Sequence, residues 1–210
     1  MKTIDLFAVL SIVAIIIVMI NISVTYIKIA DFEKKSTGNV LGYINLSVST
    51  SIALSMLQDT LDWGSGNINF SYMNSTLYTR NNNTGVVYRG NWSGVNAKAF
   101  IVQNIGGNNC SLFIQSSKDA HDLFQSASSS NEQYMINVTN KETSSCSGAA
   151  SLGQWRDVNK TSGGTKYCSQ FSYLKDSNEI YIDVLLTVPQ DSNVIGNLSD
   201  ILTITATAAG

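Results

Sequence analysis

The stretch Ile4–Ile27, IDLFAVLSIVAIIIVMINISVTYI, sets the problem that the rest of this 210-residue chain must answer. An apolar run of about 20 residues is long enough to cross a bilayer as a helix, whereas a soluble helix of that length shows a polar stripe. Ile15, Ile16, Ile17, Val18, Met19 and Ile20 leave no polar face. Such a segment takes lipid, or copies of itself, as its surroundings. Lys2 supplies a basic start, but the run exceeds the roughly 7–15 apolar residues of a cleaved secretory signal, and no Ala-x-Ala site follows. The reading is one helix from about Thr3 to Lys35, roughly 50 Å long at 1.5 Å per residue. Ser36, Thr37 and Gly38 stop it. Residues 1–37 are then the apolar helix and residues 38–210 a head domain.

The head reads as β structure. From Ile44, alternate residues Leu46, Val48, Thr50, Ile52, Leu54 and Met56 fall on one face, with Asn45, Ser47, Ser49, Ser51 and Ser55 opposite. Trp63-Gly-Ser-Gly66 makes a turn. Further strands are predicted at 75–80, 85–89, 98–104 and 111–115, with Gly106-Gly107-Asn108 as a hairpin tip between the last two. Residues 118–124 form a helical turn or two. Residues 133–139 alternate weakly, and 142–166 read as a Ser- and Gly-rich loop. Ile180, Ile182, Val184, Leu186 and Val188 alternate until Pro189, and Leu202, Ile204 and Ala206 alternate against Thr203, Thr205 and Thr207. The predicted class is therefore α+β: a long N-terminal apolar helix followed by an all-β sandwich head, jelly-roll or Ig-like.

Charge and composition exclude some functions. The net charge is −2, against a nucleic-acid surface, and only 13% of residues are charged while Asn, Ser and Thr make up about a third. Glycosylation sequons begin at Asn21, Asn45, Asn69, Asn74, Asn82, Asn91, Asn109, Asn137, Asn159 and Asn197. Asn21 lies inside the apolar run and is expected bare; the other nine are the candidate acceptors for covalent N-glycans. Of Cys110, Cys146 and Cys168, the last two bracket the Ser/Gly-rich loop and are the expected disulfide, leaving Cys110 as a small buried hydrophobe. These features point outward, whereas Lys28, Lys34 and Lys35 under the positive-inside bias point the far end of the helix to the cytoplasm.

Catalytic chemistry finds little support. His121, the single histidine, stands between Asp119 and Asp122 without a nucleophile elbow, and no Cys-x-x-Cys or calcium-loop spacing occurs. No cofactor, metal or enzymatic activity is expected.

Asp5 is the informative polar residue of the apolar run. One turn from the N-terminus, where free N–H groups favour negative charge, it is positioned to receive the terminal amine of a neighbouring copy shifted along the axis. An apolar N-terminal helix with an acid at position 5, followed by one glycosylatable β head ending in a Thr/Ala-rich strand, resembles an archaeal type IV pilin or archaellin, with Asp where Glu is usual. The resemblance covers about residues 1–20 and the general plan of the head. It implies a non-enzymatic homo-oligomer of many copies: an extracellular filament at the cell surface, for adhesion or motility, drawn from the membrane. Asp5, Leu6, Leu10, Ala14, Ile17 and Ile20 would lie in its core, with glycosylated heads outside. Two alternatives are a monomeric single-span surface glycoprotein and a matrix fibre joined by strand exchange.

Overall fold

The computed structural model describes residues 16–23, 51–92, 97–127, 131–194 and 196–209. The chain divides into two compact units, Met1–Val48 and Ser49–Gly210. In the first, residues 16–23 form a helix, α1, whose Asn21 and Ser23 side chains donate to the carbonyls of Ile17 (3.1 Å) and Met19 (2.9 Å) one turn back. The expected α+β class with its long apolar helix is corrected here. The protein is mostly β, and among the described residues helix is confined to α1 and one five-residue segment. No helix among the described residues is long and apolar enough to cross a membrane. Hydropathy reports the surroundings that a segment needs, not its helical continuity. β-branched Ile and Val are mediocre helix formers, Asn and Ser offer the backbone competing bonds, and a lone helix gains nothing from tertiary packing. The expected positions Asp5, Leu6, Leu10, Ala14 and Asn45, and the predicted strand residues 44–50, lie outside the described residues.

The second unit contains strands β1 (Leu54–Gln58), β2 (Asn74–Arg80), β3 (Asn83–Tyr88), β4 (Phe100–Asn104) and β5 (Cys110–Ser116). The short helix α2 (Ala120–Phe124) follows, and then β6 (Gln133–Asn140), β7 (Cys146–Ser147), β8 (Arg156–Asp157), β9 (Thr165–Phe171), β10 (Glu179–Pro189) and β11 (Leu202–Ala208). Two antiparallel sheets result. One has the order β11-β5-β9-β7. The other is built around β10, the longest strand.

β10 pairs with β6 along one edge, from Ile180–Asn140 to Thr187–Gln133. Its other edge is shared: Glu179–Ile182 pair with β4, and Leu185–Pro189 with β2. The sheet forks at this point, and side chains replace the missing ladder. Val184 N–H donates to Thr79 Oγ1 (2.9 Å); Asp183 Oδ1 accepts from Thr79 Oγ1 and from Asn81 N–H, both at 2.7 Å. Asp183 is buried, and desolvation pushes its carboxyl above the ordinary value.

Both sheets contribute to one core. Val102, Ile136, Val138, Ile180, Ile182 and Val184 face Leu112, Ile114, Tyr167 and Phe171 from the opposite sheet. A smaller cluster gathers Trp63, Leu77 and Ala97 with Val87, Trp92, Leu186 and Val188. It needs glycine: a Cβ at Gly90 would sit 2.3 Å from the Trp92 ring, and one at Gly85 2.7 Å from Trp63. Gly106 and Gly107 correct another expectation, since they join β4 to β5 across the two sheets and form no hairpin. Asp200 links the sheets from the side. Its carboxylate accepts from the hydroxyls of Ser116, Ser117 and Tyr134, and burial together with that charge drives the Tyr134 phenol far above its usual range.

The raised Asp183 carboxyl gives a pH test. The folded chain keeps this proton where the unfolded chain, near a pKa of about 3.9, has lost it. Wild-type stability is therefore drained as pH rises from about 4 through the raised folded value. Asp183→Asn keeps an acceptor oxygen and carries no charge, so its stability relative to wild type is expected to increase between pH 4 and pH 7 in paired thermal melts. A difference that stays flat or shrinks over that range contradicts the assignment.

Candidate functional site

The helix surface comes first among the positions expected to matter. Ile16, Ile17, Val18, Met19, Ile20 and Ile22 are each between 52% and 64% exposed, so apolar side chains surround α1 on every side. Ile17 and Ile20, expected in a filament core, are thus uncovered in the single chain.

The acceptor asparagines divide by geometry. Asn69, Asn82, Asn91, Asn109 and Asn197 are exposed. Asn82 sits at the tip of the β2–β3 hairpin, and Asn197 in the approach to β11. Asn69 Oδ1 accepts Ser71 N–H (3.1 Å) and Asn91 Oδ1 accepts Asn67 N–H (2.7 Å), which orients each amide by its oxygen. Asn159 makes the same Asx turn to Thr161 N–H (2.8 Å), but its Nδ2 donates to Thr165 Oγ1 (3.4 Å). Asn109 Nδ2 donates to Gln170 Oε1 (3.3 Å). Asn74 and Asn137 are half-buried within β2 and β6, and Asn137 Oδ1 is enclosed without a hydrogen-bond partner.

The single histidine is tied into the fold. His121 Nδ1 lies 2.9 Å from Glu132 Oε1; Glu132 is buried, and its Oε2 accepts Ser126 N–H (3.2 Å). The nearby Ser126 hydroxyl donates to Asp191 (2.7 Å). Asp119 and Asp122 form a capping box at the start of α2, and Lys160 bridges both at 2.7 and 2.9 Å. Hydrogen bonding to Lys160 holds the Asp122 carboxyl below its usual value, and the same two acids raise the Lys160 ammonium. All these groups shape the start and flank of one short helix. Among the described residues no group of three or more His, Cys, Asp or Glu is placed to hold a metal ion.

One surface escaped the sequence reading. Phe70 is 88% exposed, and Arg89 lies 4.8 Å from the ring centroids of both Tyr72 and Tyr88. The signal was present as two aromatics and a methionine within Phe70-Ser-Tyr-Met73, a turn-rich stretch with no periodicity to flag it.

Cys146 and Cys168 are joined by a disulfide, with Cα atoms 5.6 Å apart, fastening β7 to β9. Cys110 remains a free, fully buried thiol, which desolvation pushes upward in pKa. Comparison with protein-family models, with curated proteins and with solved structures finds no match to this chain.

The disulfide closes a loop of 22 residues. In the chain-entropy model such a closure stabilises by about 3 kcal/mol. Replacing both cysteines by serine is expected to lower the unfolding free energy by about that amount in urea titrations. A loss of only a few tenths would show that the loop is already ordered in the unfolded ensemble.

Proposed function

We propose that this protein is a structural subunit of an extracellular helical filament at the cell surface. Its apolar N-terminal segment makes the interior contacts between copies, and its β domain lies outside carrying N-glycans. The observation that carries the reading is the uncovered apolar surface of α1, in which all six large aliphatic side chains are more than half exposed. Taking a fully exposed side chain of this size out of water is worth about 1.5–3 kcal/mol, so burying the exposed half of each contributes roughly 1–1.5 kcal/mol. Together the six reach the lower range of a typical domain's whole stability, about 5–15 kcal/mol. A chain that carries this surface remains in lipid or is wrapped by its own copies. The reading needs an apolar surface without a wet side, and no particular helix length.

Other features agree. The disulfide belongs to an oxidising compartment. A weakly charged composition rich in Asn, Ser and Thr suits a glycosylated exterior, and a net charge of −2 does not favour nucleic acid. Before assembly the apolar segment would rest in the membrane. Adhesion and motility both fit such a fibre.

The test is to purify the full chain from a glycosylating host and examine it by negative-stain microscopy after detergent removal. Fibres are expected, together with their loss in Ile17→Lys while the melting transition of the β domain is unchanged. Single molecules that persist only in detergent, in wild type as in Ile17→Lys, would sink the filament and leave a membrane-anchored surface glycoprotein. Glycopeptide mass spectrometry of the same material is expected to find Asn69, Asn82, Asn91 and Asn197 occupied and Asn137 bare. Occupancy highest at Asn137 would contradict the exposure argument.

A further inference from the structure

Phe70, at 88%, is the most exposed large apolar side chain among the described residues, and it is also the middle residue of a glycosylation sequon, Asn69-Phe70-Ser71. The local turn explains why the ring stands out. The Asn69 carbonyl accepts Tyr72 N–H (2.9 Å) and the Asn69 side-chain Oδ1 accepts Ser71 N–H (3.1 Å), so the chain reverses at Phe70 and leaves it outside both core clusters. Asn69 N–H in turn donates to the Arg89 carbonyl (2.9 Å), which brings the end of β3 alongside the turn. There the Arg89 guanidinium lies over the rings of both Tyr72 and Tyr88 and joins them into one surface. Tyr72, Met73 and Tyr88 are all exposed as well. A single exposed apolar group is ordinary, whereas several gathered in one place mark a surface that something covers.

We infer that the N-glycan of Asn69 folds back over this surface, its first sugar ring lying with its C–H face against the aromatic side chains. The inference rests on the glycosylated exterior proposed above and says where one of those glycans goes. Covalent attachment fixes the occupant: a sugar on Asn69 Nδ2 starts one residue from Phe70 and three from Tyr72, and reaches them without the cost of a separate encounter. The amide is set for it, since Oδ1 is held by Ser71 N–H and among the described residues no bond engages Nδ2. Stacking takes apolar area of both ring and aromatic out of water. The Arg89 guanidinium and the tyrosine hydroxyls offer donors to the polar rim of the same sugar.

The other exposed acceptors lack this arrangement. Asn82 is followed by Asn83, and Asn197 by Leu198. Trp92, which follows Asn91, packs against the Trp63 cluster. Asn109 is followed by the buried Cys110, and its Nδ2 is already bonded to Gln170. At Asn69 the glycan is thus held flat and hides an aromatic surface, where at Asn82 it stands free.

A double-mutant cycle on the full chain from a glycosylating host tests this. Ser71→Ala removes the sequon yet keeps Asn69 and the backbone N–H that orients it. In paired thermal melts Phe70→Ala is expected to lower the midpoint by about 2–4 °C in the glycosylated chain and by less than about 1 °C in the Ser71→Ala background. With isotope-labelled sugar, the C–H signals of the first ring at Asn69 are expected to show ring-current shifts that disappear in Phe70→Ala, while those at Asn82 show none. Glycopeptide mass spectrometry of the same samples separates the two readings. Asn69 occupied, with additive melts and unshifted sugar signals, overturns the inference and leaves the glycosylated exterior standing; Asn69 bare in wild type overturns both at this site. Equal destabilisation by Phe70→Ala with and without the sugar would mean that protein covers the ring, and overturns it too.

Discussion

β10 presents one edge to β6 and divides the other between β4 and β2, and Thr79 with Asp183 fills the place where that second ladder breaks. A buried N–H left without a partner costs about 1–3 kcal/mol, so a forked sheet is tolerable only where side chains take over the pairing. Thr79 serves both sides of the gap, accepting from Val184 and donating to Asp183, while the carboxylate reaches on to Asn81. The cost is a desolvated acid. The gain is that two ribbons, β1–β4 and β2–β3, lie along one strand and extend the inner face enough to hold both the main core and the Trp63 cluster.

With its interior arranged in this way, the β domain still leaves Trp63 Nε1, Asn137 Oδ1 and the Tyr167 hydroxyl enclosed without a hydrogen-bond partner. The rims are held by local devices: Asp200 between the sheets, the capping box with Lys160 at α2, and the disulfide between β7 and β9. Exposed apolar side chains remain on α1 and at Phe70, Tyr72 and Met73. In the filament proposed above, other copies of the chain would cover the first of these.

Much of the β domain is legible in the sequence, because a buried strand face leaves a period of two. Ile180 to Val188 with a terminal Pro189, and Leu202 to Ala206 against three threonines, announce β10 and β11 plainly. β9 escaped, since Thr165–Phe171 pairs with β5 through two register shifts that break the alternation; its buried residues are Tyr167, Cys168 and Phe171. The Gly106 turn was misread because a glycine turn between two strands looks the same whether the chain folds back in one sheet or crosses to the other. The fork was invisible for a related reason: Thr79 and Asp183 lie 104 residues apart, and nothing local marks their pairing. The sequons are legible as motifs, but only the fold separates exposed Asn82 from enclosed Asn137. The apolar run was read as one long helix, whereas among the described residues only 16–23 of it are helical; hydropathy and helical continuity are different properties.

Native-state hydrogen exchange at the fork tests this account most directly. Val184 and Asn81 donate their amides to side chains and not to a ladder, so a fork that is a fixed part of the fold protects them to within about tenfold of Ile182 and Leu186. Exchange of those two amides at the rate of unstructured chain, with their β10 neighbours still protected, would mean that the ribbons part freely and that β10 does not hold the domain together.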